Sequence, residues 1–176
     1  MATAAIAEGG LTGGVEEFAE LVREHQGMVF SIACHFLHDR AVAEELAQDV
    51  FLQLHKALPG LKSPAHVEFW LRKVTGHRCI DYARRHRPEV SLDEAPEPAS
   101  EPAPGDPLLA RRLRQLVATL PENMRLVTIL RYQEELDPEE IAQVLGMPLN
   151  TVKTQLHRAL ALLREKLGRV LGEMKR

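Results

Sequence analysis

The sequence predicts an all-α protein made of two small helical bundles that a flexible, proline-rich and acidic linker joins. Apolar residues recur at three- and four-residue spacing in residues 15–87 and again in residues 108–172, whereas sustained two-residue alternation is not found. Residues 88–107 hold six of the eleven prolines and six acidic residues, a composition that excludes a helix and provides little apolar surface to pack. We therefore expect a flexible tail at residues 1–14, domains at 15–87 and 108–172, and a linker that leaves the domains at a variable distance.

Three helices are expected in the first domain. The apolar spacing predicts a helix over residues 15–37, in which Gly27 is a point where the helix can break. The same spacing continues over residues 40–58. A third helix is expected from about residue 64 to residue 87, because Ser63 is a suitable N-cap before a proline and a further proline follows residue 87.

The second domain is expected to contain four helices, of which the last two have the clearest signals. The predicted ranges are about 108–119, 122–133, 137–145 and 149–172. Asp137 and Glu140 have the spacing of a capping box at the start of the third of these helices, and Gly146 suits the chain reversal after it. The final helix places an apolar stripe opposite a basic and polar face. The stripe consists of Val152, Leu156, Ala159, Leu163 and Leu167.

A short helix, a glycine turn and a longer helix with an exposed polar face form a helix-turn-helix, whose second helix enters the major groove of DNA. Arg158 and Lys153 have the chemistry to contact guanine edges or phosphates, and Gln155 has the chemistry to pair with adenine. Thr154 can donate to a phosphate or contact a thymine methyl group. An ordinary bundle helix with a charged outer face is the alternative, but the capping signals and the sign of the charge favour DNA binding.

The charge distribution supports two contacts with a polyanion. The net charge is -3, but much of the acidity lies in residues 88–107. Residues 72–87 carry six Lys or Arg against one Asp, and residues 150–176 carry seven against two Glu. Two basic segments on either side of an acidic linker are typical of a protein that binds nucleic acid at two places.

Composition and motifs also limit the function. Two cysteines, Cys34 and Cys79, are too few for a disulfide framework, and the sequence contains neither a secretion signal nor an apolar stretch long enough to span a membrane. We therefore expect a cytoplasmic protein without membrane insertion. A phosphate-binding loop, a nucleophile elbow and an acid–base pair with suggestive spacing are all lacking, so neither an enzyme nor a cofactor is expected. Cys34, His35 and His38 share a helix face, but a buried cysteine beside surface histidines is favoured over a metal site.

Several sequence segments carry a resemblance to a known family. These are AEELAQDVFLQLHKAL, then FWLRKVTGHRCIDYARRHRP, and after the linker TLPENMRLVTILRY leading into the helix-turn-helix. Together they resemble, over residues 16–172, a bacterial RNA polymerase sigma factor of the extracytoplasmic-function group (sigma-70 family, group 4), which retains only regions 2 and 4. The resemblance implies a factor that binds core RNA polymerase, directs promoter-specific transcription initiation at -10 and -35 elements, and assists promoter opening.

The resemblance also implies three sets of contact residues. The polymerase-binding set, expected at the clamp coiled coil, is Glu45, Gln48, Asp49 and Leu52. The -10 set, for which a cationic groove suits an opened strand, is Lys62, His66, Arg72, Lys73, His77, Arg78, Arg84 and Arg85. The -35 set is Asn150, Lys153, Thr154, Gln155, His157 and Arg158. Arg125 and Arg131 are expected to position the second domain on the DNA backbone, and Trp70 to belong to the core and not to a stacking platform.

The implied partners are core RNA polymerase, through its clamp coiled coil and flap, promoter DNA and an anti-sigma factor, at a nucleoid-associated location in the cytoplasm. Relatives often have Ser-Arg where this chain has Thr154 and Gln155, so a different base preference is expected. The competing interpretation is a helix-turn-helix repressor or response regulator whose first bundle senses a signal or dimerises. That class binds its duplex tightly without polymerase.

Overall fold

The computed structural model describes residues 14–86 and 107–173, and within them every regular element is helical. The elements are α1 (Val15–Leu37), α2 (Arg40–Ala57), a 3₁₀ turn (Leu58–Gly60), α3 (Pro64–Arg85), α4 (Pro107–Ala118), α5 (Glu122–Tyr132), α6 (Pro138–Leu145) and α7 (Leu149–Glu173). The all-α prediction is confirmed. The predicted tail, apart from Gly14, and the predicted linker, apart from Pro107, lie outside the described residues.

The first helical group, α1–α3, packs around a fully buried apolar core. The side chains of Asp39 and Ser63 accept hydrogen bonds from the N–H groups of Val42 and His66, the third residues of α2 and α3, so each cap residue fixes the start of its helix. α1 passes through Gly27 without interruption, so the prediction of one helix over residues 15–37 is confirmed. One glycine costs a helix about 1 kcal/mol, and the burial of apolar residues on both sides of Gly27 outweighs that cost. The central buried side chains are Val29, Ile32, Phe36, Leu54, Val67 and Leu71.

The second helical group, α4–α7, shares most of its core with the first. Apolar residues of α5, α6 and α7 are buried together with those of α1–α3 in one continuous cluster, and a smaller cluster joins α4 to the second half of α7. Trp70 is partly buried against the main cluster, as expected for a core residue.

The two helical groups are packed against each other, with α5 and α6 lying on α3 and α5 lying also on α1. The prediction that they stand at a variable distance therefore does not describe this structure. At the centre of the contact is Gly76, where a Cβ atom would lie 3.1 Å from a terminal carbon of Leu126 and 3.6 Å from one of Leu145. The helices approach this closely because Gly76 has no side chain.

Arg125 joins the two groups by hydrogen bonds to main-chain carbonyls. Its Nη1 donates to the carbonyl oxygen of Phe36 at 3.0 Å, and its Nη2 donates to those of Ala118 and Leu120. The guanidinium also lies 5.0 Å from the centroid of the Phe36 ring. Arg131 likewise donates to the carbonyl of Leu136 within its own group. Both arginines hold the fold together here, so the expectation that they position the domain on the DNA backbone is not supported by their placement.

His38, at the end of α1, makes the stability of this contact sensitive to pH. Burial, and then the nearby Arg125, lowers the pKa of His38 from its usual 6.5 to about 4. Between these values the unfolded chain binds a proton that the folded chain does not, so stability is full above pH 6.5 and falls as the pH drops toward 4. A shift of this size corresponds to roughly 3 kcal/mol of unfolding free energy.

Between pH 7 and pH 4, the parent should lose roughly 3 kcal/mol more unfolding free energy than the variant His38→Asn, because asparagine does not titrate. Asparagine also tolerates the left-handed backbone that His38 adopts at φ 56°. Urea unfolding of both proteins at the two pH values measures the difference. Burial raises the pKa of Glu134, which acts in the opposite direction, but its contribution is common to both proteins and cancels. Parallel pH profiles would contradict the assignment to His38.

Candidate nucleic-acid and protein interfaces

The helix-turn-helix is built from α6, the turn at Gly146 and α7. The Asp137 carboxylate accepts a hydrogen bond from the Glu140 N–H, and the Glu140 carboxylate accepts one from the Asp137 N–H, each at 2.8 Å. This confirms the predicted capping box. Gly146 adopts the left-handed conformation at φ 63°, which a glycine takes without strain, and so turns the chain into α7.

α7 presents two distinct faces. Val152, Leu156, Ala159 and Leu163 are buried, as the apolar stripe predicts. Five of the six predicted -35 residues are exposed on the other side: Asn150, Lys153, Thr154, His157 and Arg158. Gln155 differs, because it is half-buried and its amide oxygen is buried without a hydrogen-bond partner among the described residues. The exposed face of α7 thus carries two cations, an amide, a hydroxyl and an imidazole, which are groups suited to contact a groove of DNA.

Removal of the cap should loosen the turn that orients this face. We expect Asp137→Ala to lower the free energy of unfolding by about 1 kcal/mol, the usual effect of losing an N-cap acceptor, because the Glu140 N–H then has no partner. The neighbouring exposed Glu139 stands outside the capping box and its ion pair with Lys153 is an exposed one at 3.6 Å. Glu139→Ala should therefore change stability by less than about 0.5 kcal/mol. Equal losses in urea unfolding of the two variants would contradict a stabilising role for the box.

The predicted -10 residues separate into an exposed and a less accessible set. At 100° per residue, His66, Lys73, His77 and Arg84 fall on one stripe of α3, and all four are exposed. Lys62 and Arg85 are also exposed, at the two ends of the helix. The Lys62 N–H donates to Nδ1 of His66 and so ties the preceding loop to the start of the stripe. This line of cations along one helix can follow a nucleic-acid backbone.

Arg72 and Arg78 are less exposed than the other residues of the predicted -10 set. The Arg72 side chain is only 18% exposed, and its Nη2 lies 2.7 Å from the Glu68 carboxylate. Its Nε lies 3.9 Å from the carboxylate of Glu134, which belongs to the second helical group. Arg78 is half-buried. The sequence does not reveal the role of Glu134, because its pairing with Arg72 depends on the packing between the groups.

The predicted polymerase-binding residues share the outer face of α2. Glu45, Gln48, Asp49 and Leu52 are all exposed, and Leu52 is 64% exposed. A groove of about 810 Å³ lies beside them, between α1 and α2. Its apolar lining includes Phe18, Val22, Phe30, Ala47, Phe51 and Leu52, with Glu44 and Gln48 also in its wall. The sequence did not predict that α1 contributes to this groove, because the apolar residues of a helix follow the same spacing whether they face the core or a groove.

Cys34, His35 and His38 lie together at the end of α1, and the second cysteine, Cys79, lies on α3. Within residues 14–86 and 107–173, no group of three or more His, Cys, Asp or Glu is placed to hold a metal ion. His35 hydrogen-bonds through Nδ1 to the carbonyl of Ser31, and Cys34 is buried. Burial raises the pKa of both thiols, that of Cys79 to about 12, so neither is a ready thiolate. Among the described helices, none has the length and apolarity of a membrane span.

Comparisons with known proteins match both helical groups. The family model for sigma-70 region 2 matches residues 21–89, and that for sigma-70 region 4 matches residues 110–163. The RNA polymerase sigma-E factor of Streptomyces avermitilis is 31% identical over 156 residues, covering 88% of this chain and 87% of that protein. The ECF RNA polymerase sigma factor SigW of Bacillus subtilis is 26% identical, covering 88% and 91%. The ECF sigma factor SigE of Mycolicibacterium smegmatis is 31% identical, but this chain spans only 63% of its length.

Two solved structures share the fold. One is the sigma factor RpoE in complex with the anti-sigma factor NepR from Bartonella quintana, with a TM-score of 0.70 and 20% identity over 88% of this chain and 98% of that one. The other is CnrH in complex with the cytosolic domain of CnrY, with a TM-score of 0.68 and 21% identity over 91% and 93%.

Fold and surfaces together define a helical DNA-binding protein that carries a helix-turn-helix unit and a second unit with its own line of exposed cations. The chain belongs to the sigma-70 family of RNA polymerase sigma factors, in the extracytoplasmic-function group. Members of this family are transcription initiation factors and not enzymes, and the repressor alternative is not favoured.

Proposed function

We propose that this chain binds core RNA polymerase through α2 and directs it to promoters by reading the -35 element with α7 and the -10 element with α3. The observation that carries the proposal is the separation of three chemically different exposed surfaces on one chain. One is acidic with an exposed leucine and an apolar groove, and two are basic. The competing repressor reads DNA with its helix-turn-helix alone, so the second basic surface, on α3, favours the sigma factor.

The α2 surface suits a helical, basic partner. Glu45 and Asp49 lie one helical turn apart and are exposed, so they can pair with cations on a facing helix. Leu52 and the adjoining groove supply an apolar centre of the kind that dominates interface energetics. These features support docking on a coiled coil of the polymerase clamp.

The two basic surfaces divide promoter recognition between them. The exposed face of α7 projects side chains suited to base edges and phosphates from its N-terminal half, where recognition helices make their base contacts. The stripe on α3 supplies cations without an exposed aromatic platform of its own at Trp70. It is therefore better suited to holding the backbone of an opened strand, whose bases the preceding loop would receive.

An anti-sigma factor and a nucleoid-associated, cytoplasmic location are part of the proposal. The two solved structures that share the fold hold, by their descriptions, an anti-sigma factor and a cytosolic domain of a partner. A partner covering the α2 face would block polymerase, because both would need Leu52 and its groove.

Binding to core RNA polymerase distinguishes a sigma factor from a repressor. We would titrate fluorescently labelled protein with core polymerase and, separately, with duplex fragments of the source genome. The proposal expects saturable binding to core, and weak duplex binding by the protein alone that falls steeply with salt. Tight, sequence-specific duplex binding without core, together with no binding to core, would establish the repressor instead.

A further inference from the structure

The C-terminal end of α3 carries an aromatic pair to which the proposed function gives no role. The rings of Tyr82 and His86 are stacked, with their centroids 4.1 Å apart and their planes 18° from parallel. Tyr82 is half-buried, whereas His86, the C-cap of α3, is exposed. Because Tyr82 covers one face of the imidazole, the exposed surface of His86 is its other face and its edges. α3 therefore ends in a flat ring with one open face.

The imidazole of His86 is held in a fixed orientation. Its Nδ1 lies 3.1 Å from the carbonyl oxygen of Tyr82, which also accepts a hydrogen bond from the backbone N–H of His86 at 2.9 Å. A carbonyl oxygen only accepts hydrogen bonds, so Nδ1 carries the proton of the neutral ring. The stack and the hydrogen bond together restrict the side chain, so a ligand that stacks on the ring loses little affinity to side-chain ordering.

Two arginines share the stripe of α3 that carries the aromatic pair. Arg78, Tyr82, Arg85 and His86 follow the spacing i, i+4, i+7 and i+8, which places them on one side of the helix. Arg78 is half-buried and Arg85 is exposed. The Nε of Arg85 donates to the carbonyl oxygen of Asp81 at 3.2 Å. This bond fixes the guanidinium beside the end of the helix and leaves its Nη groups for a phosphate.

The last residues of α3 connect this stripe with the line of exposed cations described above. Arg84 belongs to that line, and Arg84, Arg85 and His86 point in successive directions 100° apart, around the end of the helix. The Arg84 side chain stays 60% exposed, although its Nε lies 3.6 Å from the carboxylate of Glu122. A strand that follows the cations along α3 therefore reaches the open face of His86 by passing over the end of the helix.

We propose that Tyr82 and His86 form a stacking platform for one unpaired nucleobase, with Arg84 and Arg85 binding the adjoining phosphates. A base on the open face of His86 adds a third layer to the stack, and residues 72–87, with six Lys or Arg against one Asp, favour a polyanion over a protein partner. The faces of bases within a duplex are covered by their neighbours, so the platform selects an opened strand. The inference rests on the proposed function, in which α3 holds the opened strand of the -10 element.

The platform and the loop before α3 receive different bases. α3 contains 22 residues and is therefore about 33 Å long at 1.5 Å per residue. The loop with Lys62 lies at its N-terminal end and the aromatic pair at its C-terminal end. At 3.4 Å per base, a distance of this size corresponds to roughly ten stacked bases. The platform thus extends the contact of α3 with the strand to a second point.

Three substitutions of His86 separate stacking from charge. His86→Ala removes the ring, His86→Lys supplies a cation without a ring, and His86→Phe supplies a ring without a cation. His86 is exposed at the end of its helix, so these changes leave the core intact. His55→Ala is the matched control, because His55 is also an exposed helical histidine in an aromatic pair, with its ring edge-on to Phe18 at 5.0 Å, but it lies on α2.

The experiment titrates the full chain, at low salt, with a short labelled DNA single strand of mixed sequence and with an abasic sugar-phosphate strand of the same length. The two strands carry the same number of phosphates, so the ratio of the two affinities measures the contribution of the bases. We expect His86→Ala and His86→Lys to lower this ratio by about tenfold, near the lower limit for one base stacked on an aromatic ring. His86→Phe and His55→Ala should keep the ratio of the parent.

An unchanged ratio in His86→Ala would overturn the proposal. So would equally weakened binding of both strands in His86→Ala, the result expected if the pair only stabilises the end of the helix. A full ratio in His86→Lys would show that charge and not stacking is responsible, which also overturns it. Titration of the same proteins with core polymerase separates the two inferences. If core binds and the ratio does not respond to His86, the platform fails while the proposed function stands; if the ratio responds as expected but core does not bind, the proposed function fails while the platform stands.

Discussion

Replacing Asp49 by arginine is expected to weaken binding to core RNA polymerase by roughly 100-fold, corresponding to the few kcal/mol that a like-charge contact costs at an interface. Asp49 is exposed in the middle of α2, one turn from Glu45 and close to the exposed Leu52. A partner helix that carries cations would meet repulsion in place of attraction. Fluorescence titration of labelled protein with core enzyme measures the change.

The control for Asp49→Arg is Glu24→Arg. Glu24 is exposed on α1, and at 100° per residue it falls on the side of the helix away from Val22 and the groove. The control reverses the same charge on a neighbouring helix, so it should leave core affinity within about threefold of the parent, since surface charges away from a contact have small effects. Equal weakening in both variants would show that net charge, and not the α2 surface, determines binding.

Replacing Arg158 by alanine is expected to lower promoter-dependent initiation by roughly 10- to 100-fold, because one base or phosphate contact in a groove is worth about 1–3 kcal/mol. Core affinity should be unchanged. Arg158 lies on the exposed face of the N-terminal half of α7, whereas the buried stripe on the other side holds the helix in place. The measurement is transcript yield at a holoenzyme concentration below promoter saturation, with core binding determined in parallel.

Arg164→Ala is the matched control for Arg158→Ala. Arg164 is exposed on the same helix, about 9 Å further along at 1.5 Å per residue, and the Glu165–Arg169 ion pair lies next to it. Loss of general positive charge would affect both variants alike, whereas groove contact from the N-terminal half of the helix predicts a much smaller effect at Arg164. If Arg158→Ala also reduced core affinity, the assignment of α7 to DNA would be wrong.

Local signals in the sequence predicted most of the helices and their ends. Asp137, Glu140 and Gly146 act on their immediate neighbours, so the capping box and the turn before α7 were predicted and confirmed. The stripes of α2 and α7 followed from periodicity for the same reason. The three sets of contact residues stay predictions, although most of their members are exposed where the proposed function needs them.

What the sequence could not supply depends on contacts between distant segments. Arg125 looked like a DNA-backbone contact because an isolated arginine in a DNA-binding domain usually is one, yet it binds the carbonyl of Phe36, eighty-nine positions earlier. The function of Gly76 as a close contact for Leu126 is visible only once α5 lies on α3. The composition of the acidic linker predicted that the two helical groups stand apart. That composition carries no information about whether the surfaces on either side of the linker fit together.

The most direct test of the central claim is reconstituted transcription from a promoter mapped after overexpression of the protein, using core enzyme that lacks any other sigma factor. We expect specific transcripts only when this chain and core are both present. Initiation should fall strongly when either Asp49→Arg or Arg158→Ala replaces the parent, and core binding should weaken in the first variant alone. Transcription that does not depend on this chain, or a failure of the chain to direct core to any mapped start, would contradict its function as a sigma factor.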